Sequence, residues 1–143
     1  MGQIKNFSIR KTIYEDLRLK KANTPTIISK SAIVSKHTEI GMGNIIMHQA
    51  VVNAQSEIGN NCIINTKSLI EHDCKIGDNT HVSTSAVVNG GCTVGNNVFI
   101  GSCSVINQGV TICDNVVIGA GSVVLKPIYA AGIYVGNPLR KLN

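Results

Sequence analysis

Residues 58–76 read IGNNCIINTKSLIEHDCKI, with Ile58, Ile64, Ile70 and Ile76 spaced six apart. The same beat runs without a miss from Ile28 through Val34, Ile40, Ile46 and Val52, and onward through Val82, Val88, Val94, Ile100, Ile106, Ile112 and Ile118 to Val124. All seventeen anchors are Ile or Val. Neither an α-helix nor a half-buried strand has a period of six. Four places after each anchor stands a second column, mostly small: Ala32, Ala50, Ser56, Cys62, Ser68, Cys74, Thr80, Ala86, Cys92, Ser104 and Ser122 belong to it. One bulky and one small inward residue per six fills the axis of a narrow, tightly wound parallel β-helix.

A slower beat sets the number of sixes in a turn. Gly41, Gly59, Gly77 and Gly95 lie eighteen apart, followed by Asn60-Asn61, Asp78-Asn79, Asn96-Asn97 and Asp114-Asn115. Gly, Asn and Asp tolerate the positive φ of tight corners. Eighteen residues per coil therefore predict a triangular prism, all-β, with three short parallel sheets. About five coils at a strand spacing of ~4.8 Å give a rod roughly 25 Å tall.

Composition agrees. The chain has 143 residues, fourteen Gly, no Trp and five aromatics. That is enough chain for one domain with a sizeable core, and a narrow β-helix has no room for large rings. No apolar run approaches membrane-spanning length. Met1-Gly2-Gln3-Ile4-Lys5 starts no apolar signal segment, and Asn6 stands where a myristoylation signal needs Ser or Thr. A soluble, cytoplasmic protein without a membrane partner is expected.

Cys62, Cys74 and Cys92 occupy the small inward column and Cys113 a corner place, leaving only Cys103 outside both. No C-x-x-C pair exists, so free thiols that pack as small apolar groups are expected, and no zinc site.

Residues 7–22 do not share the rhythm. Ile9, Ile13 and Leu17 form one apolar stripe on a short helix, N-capped by Ser8 and stopped at Asn23-Thr24-Pro25. The expected division is an N-terminal helix and linker over 1–26, β-helix over 27–126 and a closing tail over 127–143. The helix is expected to cap the open end of the first coil, since an uncovered sheet edge invites pairing. Its basic residues read as solvated charge, with an anionic partner as the alternative. The coils run without an insertion, so a ligand site must lie on the faces or edges, most economically in a groove between neighbouring prisms. Three-fold cyclic packing, a homotrimer, suits that shape.

Chemistry must come from residues that break the columns. His72 lies in Ile70-Glu71-His72-Asp73, at a corner. An exposed polar residue is the bland reading. The flanking carboxylates support the sharper one, a general base whose tautomer Asp73 fixes. One coil later in the same column comes Gly90, beside Gly91. A residue without a side chain ~4.8 Å from the His corner leaves a backbone N–H open to a ligand carbonyl. His81 lies half a coil round the triangle, so it can share a site with His72 only across a subunit groove. Ser102 and Ala120 form a one-coil pair in the equivalent place on another edge. His37 and His48 read as surface.

The hexads, together with Ile118-Gly119-Ala120-Gly121-Ser122-Val123-Val124 and the ending Val135-Gly136-Asn137-Pro138, resemble the left-handed β-helix acyltransferases of the bacterial transferase hexapeptide family. Residues 68–83, SLIEHDCKIGDNTHVS, are similar to the branch that contains sialic acid O-acetyltransferases and nucleotide-aminosugar N-acetyltransferases. The resemblance implies the handedness of the helix. It also implies His72 as general base, Asp73 as the acid that orients it, and His81 as a contact to acetyl-CoA. Gly90 would meet the thioester carbonyl, and Ser102 and Ala120 would line the pantetheine arm. Members of this branch carry an N-terminal Rossmann-like domain. Here only something like its last helix, around Arg10–Tyr14, precedes the coils, as expected either of a piece of a two-domain enzyme or of one that recognises its acceptor differently.

The expected activity is acetyl transfer from acetyl-CoA to a sugar or nucleotide-sugar amine or hydroxyl, with no metal. The net charge of +5 suits a polyanionic donor, with Lys126, Arg140 and Lys141 as phosphate partners. Scattered basic residues and few aromatics argue against nucleic acid. The alternatives are a non-catalytic β-helix scaffold and another small-molecule O-acetyltransferase. A metal-dependent hydratase would need three converging histidines, and these four show no such spacing. An ice-binding β-helix would need a Thr ladder, which Thr66, Thr84 and Thr93 do not make.

Overall fold

The computed structural model describes residues 8–142, and in it the sixfold beat becomes a prism. Each two-residue strand of the coils ends on an anchor. Ile45–Ile46, Val51–Val52 and Glu57–Ile58 follow one another on three different faces. Eighteen residues on, the next strand stacks in parallel register: Ile45 on Ile63, Val51 on Leu69 and Glu57 on Lys75. Sheet A starts at Ile27–Ile28 and has eight strands, sheet B starts at Ile33–Val34 and has six, and sheet C starts at Glu39–Ile40 and has five. The prism thus holds about six coils rather than five. The Gly-Asn corners that set the sequence count lie on one edge, and the winding begins and ends partway round from it.

Every anchor from Ile46 to Val124 is buried. Removing such a side chain from water stabilises the fold by about 1.5–3 kcal/mol. The hydroxyl-bearing members Ser56, Ser68, Thr80, Ser104 and Ser122 are buried too. Ser68 and Ser122 donate to carbonyls three residues back, and the other three to carbonyls fifteen residues on. Ser56 Oγ reaches Glu71 O at 2.7 Å, Thr80 Oγ1 reaches Gly95 O at 2.9 Å and Ser104 Oγ reaches Gly119 O at 2.8 Å. The thiols of Cys74 and Cys92 do the same to Asn89 O at 3.2 Å and Asn107 O at 3.0 Å. The inward cysteines are free thiols, and burial pushes that of Cys62 up to about 12.

The helix Ser8–Leu19 forms but does not cap the first coil. Ile28, an inward anchor of that coil, remains 46% exposed. The helix runs instead down the edge between sheets C and A. Arg10 Nη1 donates to Asn61 O, Arg10 Nη2 donates to Asn79 O at 2.7 Å, and the Tyr14 hydroxyl meets Met42 O at 3.4 Å. The physical reason lies in the corner ladder. The N–H groups of Asn61, Asn79 and Asn97 use Met42 O, Asn60 O and Asp78 O. The carbonyls of Asn61 and Asn79 are therefore left for a side-chain donor, and Arg10 supplies two donors in one plane. Arg10, not the apolar stripe, is the buried residue of the helix.

At the other end, Gly132–Val135 adds a parallel strand beside Val116–Ile118, and Arg140–Leu142 turns back antiparallel. No helix among the described residues is long and apolar enough to cross a membrane.

Candidate active site

Each corner between coil strands is a short turn, and at most of them one residue has positive φ. Asp73 is such a residue on the edge between sheets B and C, at 59°. That conformation costs little for Asp or Asn, and it turns the Asp73 side chain back toward its neighbour. Asp73 Oδ2 lies 2.7 Å from His72 Nδ1. A carboxylate only accepts, so Nδ1 carries the proton and Nε2 keeps its lone pair. The His72 side chain is 60% exposed. Its pKa is raised, chiefly by the Asp73 hydrogen bond, with the Asp73 and Glu71 charges adding and desolvation opposing. Glu71 is itself held, because Asn53 Nδ2, one coil below, donates to Glu71 Oε2 at 2.7 Å.

Gly90 seats the ring. A Cβ on Gly90 would come within 2.8 Å of both His72 Cε1 and Nε2, closer than carbon atoms pack. The imidazole can occupy its place only because residue 90 has no side chain. The ladder at this corner runs from Gly91 N–H to His72 O at 2.9 Å and from Gly109 N–H to Gly90 O at 2.9 Å. The Gly90 N–H takes no part in it and has no acceptor among the described residues. A base lone pair and an open backbone donor thus lie side by side on one edge, the pairing acyl transfer requires.

The other candidates stand elsewhere. Lys126 is exposed on the His72 edge, three coils up, ~14 Å along the axis. It borders a cleft of about 480 Å³ shared with Leu125, Pro127, Tyr129, Tyr134 and Lys141. Ser102 and Ala120 lie on the edge between sheets A and B, where Ser102 Oγ is 2.9 Å from Ser83 Oγ. His81 faces outward from sheet A, stacked between Ile63 and Phe99, yet it is only 5% exposed. Its ring meets Phe99 edge to face with centroids 5.2 Å apart. Within one chain His72, Asp73, Gly90 and Lys126 share an edge, and His81, Ser102 and Ala120 do not join them.

Two residues escaped the sequence reading. Asn65 Oδ1 accepts from Thr66 N–H at 2.8 Å, which points its amide NH₂ at His81 Nε2, 3.2 Å away. Nε2 is therefore an acceptor and His81 carries its proton on Nδ1. Asn53 is the other, and its spacing of one whole coil from Glu71 is the signal that would have found it. Among the described residues no three His, Cys, Asp or Glu side chains are grouped to hold a metal ion.

Residues 55–90, 73–108 and 91–126 match the model for the bacterial transferase hexapeptide, six repeats. The chain belongs to that family. This hexapeptide transferase has the left-handed β-helix fold and is an acyltransferase. Its structure is similar to the acetyltransferase domain of PglB from Neisseria gonorrhoeae, with 32% identity and a TM-score of 0.93 over 97% of this chain and 68% of that one. PerB from Caulobacter crescentus, solved with CoA and GDP-perosamine, is 30% identical with a TM-score of 0.94 over 98% of this chain and 68% of that one. WeeI from Acinetobacter baumannii is 28% identical with a TM-score of 0.92 over 97% and 68%. No curated protein matches the hexapeptide transferase in sequence.

Proposed function

We propose that this chain transfers the acetyl group of acetyl-CoA to an amine or hydroxyl of a sugar, with a nucleotide-linked amino sugar as the favoured acceptor. The observation that carries the reading is the His72 ring, fixed by Asp73 and lying across the bare Cα of Gly90. The likeness to PerB with CoA and GDP-perosamine and to the PglB domain with acetyl-CoA supports the donor and the acceptor class.

In this reading His72 Nε2 removes a proton from the acceptor as its nitrogen or oxygen attacks the thioester carbonyl. The Gly90 N–H meets the oxygen that gains charge. Collapse of the tetrahedral adduct breaks the C–S bond, and the proton held on His72 passes to the leaving thiolate of CoA. The raised pKa of His72 favours holding that proton between the two steps. Most of the acceleration comes from holding donor and acceptor together.

The reading includes a homotrimer. The outer face of sheet B carries Ile33, Val51, Leu69, Val87, Val105 and Val123 in one column. An aliphatic stripe of that length supports burial against a second copy. The groove so formed would bring Ser102, Ala120 and His81 of a neighbouring chain toward the donor, and Lys126 toward its phosphates.

Acetyl-CoA turnover with sialic acids and nucleotide-linked amino sugars, run beside His72→Ala, tests the proposal. The variant is expected to lose at least a hundredfold in turnover, roughly the contribution of a positioned base, with its β-sheet circular dichroism unchanged. An unaltered rate removes His72 from the chemistry.

A further inference from the structure

We infer that the same edge carries an anion subsite at Lys36 and His37, which holds the diphosphate of the acceptor. This rests on the acetyl-transfer reading above and names what that reading leaves open: the group by which the acceptor is recognised on the coils themselves. Lys36 and His37 lie thirty-six residues before His72 and Asp73, two whole coils down the same corner column. The hydrogen bonds that tie the three corners are intact, with Gln55 N–H to His37 O at 2.9 Å and Asp73 N–H to Ala54 O at 3.1 Å. Two coils rise ~10 Å. A pyranose ring, its anomeric oxygen and the first phosphorus bridge that span when the reacting amine stands at His72 Nε2.

The corner of the intervening coil is itself uncharged. The intervening coil places Ala54 and Gln55 on the edge, a methyl group and a neutral carboxamide. Lys36 and His37 are both exposed, and neither side chain has a hydrogen-bond or ion-pair partner among the described residues. The helix lysines lie on another edge, where Lys11 faces Glu15 and Lys20 faces Asp16. Lys30, the other exposed lysine of the first coil, points from a different corner. Glu71 and Asp73 belong to the His72 corner. On the adjoining strands of sheet C, Glu57 is paired with Lys75 at 2.9 Å, and Glu39, two residues after His37, is the carboxylate at the level of the subsite.

Direction adds to the argument. The Gly90 N–H lies above the imidazole, and the next exposed cation of the column in that direction is Lys126. A donor running upward from Gly90 leaves only the lower half of the edge for an acceptor, and the lower half ends at Lys36 and His37. A charge-assisted contact to phosphate oxygen gives affinity and orientation together.

Calorimetric titration of guanosine and uridine diphosphate into the full chain, without acetyl-CoA, reads the subsite independently of turnover. Lys36→Ala is expected to weaken diphosphate binding about tenfold or more, Lys36→Arg to restore most of it, and Lys67→Ala on another edge to leave it unchanged. In steady state Lys36→Ala is expected to raise KM for a nucleoside-diphosphate amino sugar by a similar factor, with KM for acetyl-CoA unmoved. The same amino sugar without its diphosphate is expected to react equally with both proteins. Wild-type protein that binds neither diphosphate, or a Lys36→Ala protein that binds them as wild type does, overturns the subsite. Equal losses for the free and the diphosphate-linked sugar overturn it as well. Diphosphate binding that depends on Lys36 in a protein without acetyl transfer upholds the subsite and sinks the acetyl-transfer reading instead.

Discussion

Two edges of this prism are built from related corners and leave different groups at the surface. On the edge between sheets C and A the corner side chains turn onto the chain itself. Asn60 N–H donates to Asp78 Oδ1 at 2.6 Å, Asp78 N–H to Asn96 Oδ1 at 2.8 Å and Asn96 N–H to Asp114 Oδ1 at 2.8 Å. Each side-chain oxygen occupies a backbone donor of the coil below, and the alternation of Asn with Asp keeps like charges two coils apart. The edge between sheets B and C has Ala54, His72, Gly90 and Gln108 in the corresponding places, and no such ladder. Its backbone donor at Gly90 stays open and its imidazole lies on the surface. What distinguishes the stabilising corner from the one proposed to react is which groups are left over once the coil has closed.

Glycine substitutions separate the two edges. A Cβ at Gly77 would lie 2.6 Å from Gly95 C and 2.7 Å from Gly95 O. Those are backbone atoms held by the ladder, and they cannot swing aside. Gly77→Ala is expected to destabilise the fold by about 3 kcal/mol, the upper part of the overpacking range, and to lower Tm by several degrees. A Cβ at Gly90 meets the far end of the exposed His72 ring, which can rotate away. Gly90→Ala is therefore expected to change stability by less than about 0.5 kcal/mol. It should still lower kcat about tenfold, because the displaced imidazole no longer sits beside the open N–H. Thermal melts and turnover of the two variants side by side decide the matter. Equal melting losses would mean that both corners are structural, and the contrast drawn between them would collapse.

The coils were legible because their cause is local and repeats. An axis that admits one branched and one small residue per six writes itself into every hexad from Ile28 to Val124. The His72–Asp73–Gly90 group was legible for a related reason, since a departure from a strict column is visible against it. What could not be read was which unpaired backbone carbonyls would take a side-chain donor. Arg10 docks on Asn61 O and Asn79 O, and no side chain in the coils marks those carbonyls as available. The apolar stripe of the helix has an evident target in the first coil, but the anchoring contacts are those of Arg10. His81 shows another limit of the period. Its period assigns it to an outward position, but Ile63, Phe99 and Asn65 close around it. Outward from the strand is not the same as exposed to water.

The finest test of the reactive corner concerns its proton. Asp73 raises the His72 pKa through their hydrogen bond, so the imidazole stays protonated to a higher pH than an ordinary histidine near 6.5. A base must be neutral to accept a proton. The acid limb of kcat/KM should therefore fall away at a higher pH than an unperturbed imidazole would give. Asp73→Asn keeps the positive-φ corner comfortable, as Asn61 and Asn79 do at 54° and 59°, and removes the carboxylate charge. The acid limb is expected to move to lower pH, toward the ordinary histidine value. The plateau at higher pH is expected to drop several-fold, because the charge that stabilised the imidazolium in the transition state is gone. The two profiles then converge toward acid, where wild-type His72 is already protonated and the variant is not. A plateau that falls while the limb stays in place would give a different result: Asp73 would orient the ring without tuning it, and the proton balance at this edge would be set by Glu71, held in place from below by Asn53.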